Sequence, residues 1–223
     1  MSTNVTALLG RIRAAEIRFG RKPGSVELLA VSKTHGVDAI AAARAAGIRA
    51  FGENYLQEAL PKVAALPDLQ WHFIGPVQSN KTRPIAERFA WVHTVERLKT
   101  AQRLSAQRPP ELPPLNICIE VNISGESSKA GVAPSDLADL AQAVAALPGL
   151  QLRGLMALPA PEEEFAAQRA AFARLRSCLT SLNEQSLALD TLSMGTTDDF
   201  EAAIAEGATI VRIGTALFGP RQY

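Results

Sequence analysis

The 223-residue sequence is poor in the features that mark several protein classes. It has two cysteines, Cys118 and Cys178, far apart and in no CxxC pair. Neither a disulfide framework nor a zinc site is therefore expected, and a reducing, cytoplasmic setting fits. It lacks a charge excess of either sign: 23 Lys and Arg stand against 22 Asp and Glu. Nothing in that balance argues for nucleic acid or for an acidic tail. It also lacks any apolar run approaching the roughly 20 residues that cross a bilayer, so no membrane partner is expected. The opening MSTNVTALLGRIRAAEIRFG carries arginines within a helical pattern and no small-residue cleavage site, and so reads as a domain helix rather than a signal. No linker or low-complexity tract interrupts the chain.

What is present is a soluble globular composition, 47% apolar and 20% charged. After the first helix, β-prone runs alternate with Ala-rich segments of helical period, the mark of βα units around a parallel sheet. The candidate strands are 26–32, 50–54, 71–75, 91–95, 116–122, 152–158, 190–195 and 209–216. Between them lie helical stretches such as VDAIAAARAA, LQEALPKVAAL, SDLADLAQAVAAL and DFEAAIAE, each closed by Gly, Pro or a polar turn. A (β/α)8 barrel takes about 200 to 250 residues. The expectation is an α/β chain folded as one (β/α)8 TIM-type barrel over residues 1–223, with an extra N-terminal helix. A doubly wound open sheet is the rival, because strand spacing cannot distinguish closure from stacking.

Barrel chemistry sits at the C-terminal ends of the strands. Lys33 ends the first apolar run, LLAVSK. It is either a rim lysine with its stem on the barrel and its ammonium in water, or an amine whose apolar setting favours the neutral, nucleophilic form suited to Schiff-base chemistry. The last two strand ends, SMGTT and RIGT, offer Ser193, Gly195, Gly214 and Thr215. Glycines let backbone N–H groups approach an anion, and the usual barrel phosphate site follows strands seven and eight.

Alternation along the eighth strand points Arg212 into the barrel, where a guanidinium needs a partner. An acidic side chain or a pyridine nitrogen would serve. Asp198 with Glu201 reads as a capping box. Asn54 competes between capping the helix after GEN and binding a ring substituent. His72 and His93 read as core or rim histidines, and Ser79 and Asn80 as capping residues.

The motifs LLAVSKT, FGENYLQEAL, WHFIGPVQSNK, LPPLNICIEVNIS, SSKAG, LRGLMALP, LSMGTTDD and EAAIAEGATIVRIGTALFG run nearly end to end. In that order and spacing they resemble the pyridoxal phosphate homeostasis protein family, related in fold to the N-terminal barrel of alanine racemase. The resemblance implies a fold-type III barrel without the C-terminal β domain of the racemases. It implies pyridoxal 5'-phosphate (PLP) held as a Schiff base on Lys33, with Asn54 near the ring. Ser193, Gly214 and Thr215 would hold the phosphate, and Arg212 would face the pyridine nitrogen.

The implied function is intracellular PLP (vitamin B6) homeostasis: holding the cofactor, buffering it or delivering it to PLP-dependent apo-enzymes, as a monomer or weak dimer without catalysis of its own. Three positions depart from the pattern. His35 and Gly36 replace a second lysine and a proline, Thr197 stands where Ser is common, and Lys129 matches a basic position linked to a secondary cofactor site but also reads as a loop lysine.

Two other functions compete. A PLP-dependent amino-acid racemase would need a second acid/base, and the tyrosines are only Tyr55 and Tyr223. An aldolase would use Lys33 directly on a substrate carbonyl.

Overall fold

The computed structural model describes residues 2–126 and 129–219. Ser127 and Ser128 of the SSKAG motif and the terminal Tyr223 lie outside them. Eight parallel strands run β1 Glu27–Val31, β2 Ala50–Glu53, β3 Gln70–Phe73, β4 Trp91–Val95, β5 Leu115–Glu120, β6 Leu150–Met156, β7 Thr191–Ser193 and β8 Ile210–Ile213. They pair in chain order and β8 returns to β1, with Leu29 opposite Arg212, so the sheet is a closed barrel rather than an open doubly wound one.

Parallel neighbours cannot be joined by tight hairpins, so each connection crosses the outside of the barrel. The crossing helices are α2 Val37–Ala45, α3 Leu56–Ala65, α4 Thr82–Arg88, α5 Leu98–Gln107, α6 Leu137–Ala145, α7 Phe165–Glu184 and α8 Phe200–Ala205. The extra helix α1 spans Ser2–Arg18, and a short α9, Thr215–Phe218, follows the last strand.

Two layers of core follow from the period of two along each strand. Leu29, Ala50, Trp91, Cys118, Met156 and Ile210 form an apolar cluster inside the barrel. Their strand neighbours Leu28, Ala30, Phe51, Val92, Ile117, Ile119, Val211 and Ile213 pack outward against the helices. Helix α1 joins the outer layer through Val5, Leu8, Ile12 and Ala15, one face at helical spacing. Burying each large aliphatic of that face is worth about 1.5–3 kcal/mol, far more than the exposed Arg11–Glu201 pair (2.9 Å) beside it.

Six of the eight observed strands are shorter than the sequence runs, whereas β4 matches its run and β6 keeps its length two residues earlier. Run 209–216 divides into β8 and α9, because the chain must turn out of the sheet at Gly214 to seat Thr215 at the barrel mouth. The capping box does not form. Asp199, not Asp198, precedes α8, and its carboxylate instead accepts the Thr196 N–H (2.6 Å) and hydroxyl (3.0 Å), while Glu201 turns to Arg11. Local turn bonding thus outcompetes the helix cap.

Candidate functional site

A cavity of about 440 Å³ opens at the C-terminal ends of the strands. Lys33 lies on its wall, in the turn just beyond β1, and is half-buried. The turn is clamped from beneath. Ser32 donates its hydroxyl to Glu53 Oε1 (2.6 Å), and Lys62 Nζ bridges that same oxygen (2.8 Å) and the Ser32 carbonyl (3.0 Å). Burial pushes the Glu53 carboxyl up despite these bonds from Lys62 and Ser32.

Directly after Lys33, Thr34 has φ 68, a conformation that costs a β-branched residue and persists only where the surroundings impose it. Its N–H donates to Glu58 (3.2 Å). His35 stacks on Phe218 with ring centroids 4.6 Å apart. Burial and the field of Lys62 hold His35 below its ordinary value, so at neutral pH it does not replace the cation of a second lysine.

Arg212 comes up from β8 at the cavity floor. Its Nη1 donates to the carbonyl (2.6 Å) and hydroxyl (2.8 Å) of Ser193, and its Nη2 to the Ala157 carbonyl (3.0 Å). Among the described residues no carboxylate pairs with it. Ser193 is therefore not where the sequence put it: it is fully buried and off the cavity wall. The short β7 ends there, below the level at which the cavity begins.

Behind Ser193 runs a buried chain, with His93 Nδ1 at 2.8 Å from its hydroxyl, His93 Nε2 at 2.9 Å from His72 Nδ1, and His72 Nε2 at 3.2 Å from Gln70 Oε1. Burial lowers His72 to about 3, and His93 falls well below its ordinary value through burial and the charges of His72 and Arg212. Both rings are neutral core histidines, as their strand positions suggested.

Between the ends of β7 and β8 the wall carries Thr196, Thr197, Gly214 and Thr215. Gly195 makes this loop possible. It has φ +93, and a Cβ there would lie 2.6 Å from that of Ala203. The hydroxyls available to an anion are those of Thr197 and Thr215, since Thr196 gives its hydroxyl to Asp199 and Ser193 lies off the wall.

Just after β2, on the other side of Lys33, Asn54 does not cap α3: Tyr55 holds that position, and the buried Asn54 Oδ1 has no hydrogen-bond partner although Asn54 lines the cavity. Thr94, Glu96 and Glu120, from the ends of β4 and β5, line the far side. Glu120 escaped the sequence reading, although its signal was present: in NICIEVN, Ile117 and Ile119 face the helices, which turns Cys118 and Glu120 inward. Burial and the neighbouring Glu96 push Glu120 up to about 7, against the pull of Arg212. Lys129 stands apart from this wall and pairs with Glu126 at 3.1 Å.

These groups fit a phosphorylated aromatic aldehyde. They provide an amine just after β1, a hydroxyl- and glycine-lined cradle at β7 and β8, a buried cation with no ion pair among the described residues, and an amide oxygen still without a donor. The fold and the site together define a (β/α)8 barrel of the alanine racemase N-terminal type, with a lysine at its mouth.

The comparisons narrow this. Residues 4–222 match the family described as alanine racemase, N-terminal domain. The pyridoxal phosphate homeostasis protein of Pseudomonas aeruginosa is 64% identical, over 100% of this chain and 96% of the relative. PipY of Synechococcus elongatus, solved with PLP bound, superposes with a TM-score of 0.81 at 40% identity, over 93% of this chain and 98% of that one. The alanine racemase of Corynebacterium glutamicum shares the fold alone, with a TM-score of 0.71 at 20% identity over 98% of this chain and 62% of that one. The chain belongs to the pyridoxal phosphate homeostasis protein family. No helix of the described residues is long and apolar enough to cross a membrane.

Proposed function

We propose that this protein binds PLP at Lys33 and serves as an intracellular, cytoplasmic holder of the cofactor, buffering it or passing it to PLP-dependent apo-enzymes. The whole chain acts as one domain. The observation that carries the reading is the meeting, in one cavity, of Lys33 from β1, Arg212 from β8 and the cradle of Thr197, Gly214 and Thr215 between them. When bound, PLP supplies an aldehyde that condenses with a primary amine and a phosphate that anchors it.

Lys33 offers the amine, and the clamp through Lys62 and Glu53 fixes the turn from which it extends. Thr197 and Thr215 present hydroxyls to the phosphate, and Asn54 Oδ1 accepts a hydrogen bond from the ring side. Arg212 makes three bonds to protein oxygens and keeps donors to spare for a ring nitrogen. Because a guanidinium does not give up its proton, that nitrogen stays unprotonated and the ring draws electrons weakly. This favours holding over catalysis.

The racemase reading needs a tyrosine opposite the lysine, and Tyr55 is exposed beside α3 and off the cavity wall. The test is transfer: loaded protein is mixed with an apo-enzyme in the presence of a scavenger of free PLP. Recovery of apo-enzyme activity supports delivery. Sustained turnover of single L-amino acids, above a Lys33→Ala control, would replace this reading with an enzymatic one.

A further inference from the structure

In a closed barrel of eight strands numbered in order, β1 and β5 stand opposite each other. Lys33, at the end of β1, and Glu120, at the end of β5, therefore enter one cavity from opposite sides. The phosphate cradle lies beside β1, between β7 and β8, so the β4–β5 side is left to whatever enters beyond the ring. That side carries Glu96 and Glu120, and the cations of the cavity wall, Lys33 and Arg212, come from β1 and β8. Glu96 is engaged by the Gly131 N–H (3.1 Å) and by Arg97 (3.1 Å). The Glu120 carboxylate has no hydrogen bond or ion pair among the described residues. Elsewhere on the cavity wall, just after β2, Asn54 Oδ1 is buried without a donor, a second group that a ligand would satisfy.

We propose that Glu120 is the proton acceptor for a primary amine, such as a free amino acid, that enters the β4–β5 side and takes the cofactor from Lys33. This deepens the reading above and rests on it. The incoming ammonium gives one proton to the Glu120 carboxylate. The resulting amine forms a new bond to the carbon bound to Lys33 Nζ, a second proton passes from its nitrogen to Nζ, the bond from that carbon to Nζ breaks, and Lys33 leaves as an amine that takes back the proton held by Glu120. Nothing is oxidised or reduced, and one C=N linkage replaces another. A carboxylate in the fields of Glu96 and Arg212, in the same cavity as Lys33 and titrating near neutrality, is suited to both proton steps.

The experiment loads wild type and Glu120→Gln with PLP and first confirms a borohydride-reducible adduct on Lys33 by mass spectrometry. Loss of bound cofactor is then followed by its absorbance after L-alanine, or the neutral amine hydroxylamine, is added at pH 7. The expected result is that alanine speeds release from wild type at least tenfold more than from Glu120→Gln, with Glu120→Asp partly restoring it, while hydroxylamine acts equally on both. Equal response to alanine, slowing with hydroxylamine as well, or failure of Glu120→Gln alone to load would each overturn the inference. Absence of any Lys33 adduct in wild type would instead sink the underlying reading.

Discussion

Arg212 is held by Ser193 twice, through its carbonyl at 2.6 Å and its hydroxyl at 2.8 Å. One direction of bonding satisfies every group behind this contact: Ser193 O–H donates to His93 Nδ1, His93 Nε2–H to His72 Nδ1, and His72 Nε2–H to Gln70 Oε1. The cation at the cavity floor is thus seated on a neutral chain, with its charge left for whatever lies above it. Ser193 lies off the cavity wall and meets it through Arg212.

Replacing Ser193 by Ala removes one acceptor from Arg212 and one donor from His93. Stability in urea should fall by about 1–3 kcal/mol, the usual loss when buried polar groups are left unpaired. An unchanged midpoint would mean that the chain is not closed as described.

The histidines set an acid limit. His72 has a folded value of about 3 against an ordinary 6.5, so its neutral burial contributes fully above 6.5 and is lost as the pH falls from 6.5 towards 3. Glu120 has the opposite sign. Raised from 4.5 to about 7, it favours the folded state at low pH and loses that contribution as the pH rises through this window. In pH-dependent unfolding curves, His72→Asn should flatten the acid limb, and Glu120→Gln should flatten the slope between pH 4.5 and 7.

Lys62→Met leaves the fully buried Glu53 without its cation and frees the Ser32 carbonyl. A loss of about 3–5 kcal/mol is expected, as for other broken buried pairs. PLP affinity should fall with it, measured by titration, because the turn bearing Lys33 loses its clamp.

Gly195→Ala forces a side chain into φ +93 and against Ala203 and Phe200. The cost is about 1–3 kcal/mol. The larger effect should be on the adjoining Thr196 and Thr197: phosphate competition against PLP should weaken, while the far-ultraviolet signal of the barrel persists.

The eight strands and Lys33 were legible because both depend on short-range pattern: period-two burial, and an amine ending an apolar run. Arg212 was legible for the same reason, since Val211 and Ile213 fix its direction. Ser193 misled because alternation tells the face of a strand but not its height, and β7 stops below the cavity. The wall beyond β7 is lined instead by Thr196 and Thr197, on a loop that Asp199 pins. Asn54 stayed ambiguous until the turn showed Tyr55 at the start of α3. Glu120 was hidden by a strand drawn two residues too long, which put Asn122 at the strand end. Asn122 instead closes its own loop, on the Glu126 and Lys129 carbonyls and the Gly125 N–H.

The central claim is that Lys33 carries the cofactor. Purified wild-type protein given PLP should develop the absorbance band near about 420 nm typical of the cofactor bound through an imine, and reduction should leave its mass on the peptide containing Lys33. Lys33→Ala, folded by circular dichroism, should show neither. A colourless wild type, or a Lys33→Ala variant with the same band and adduct, would contradict the account.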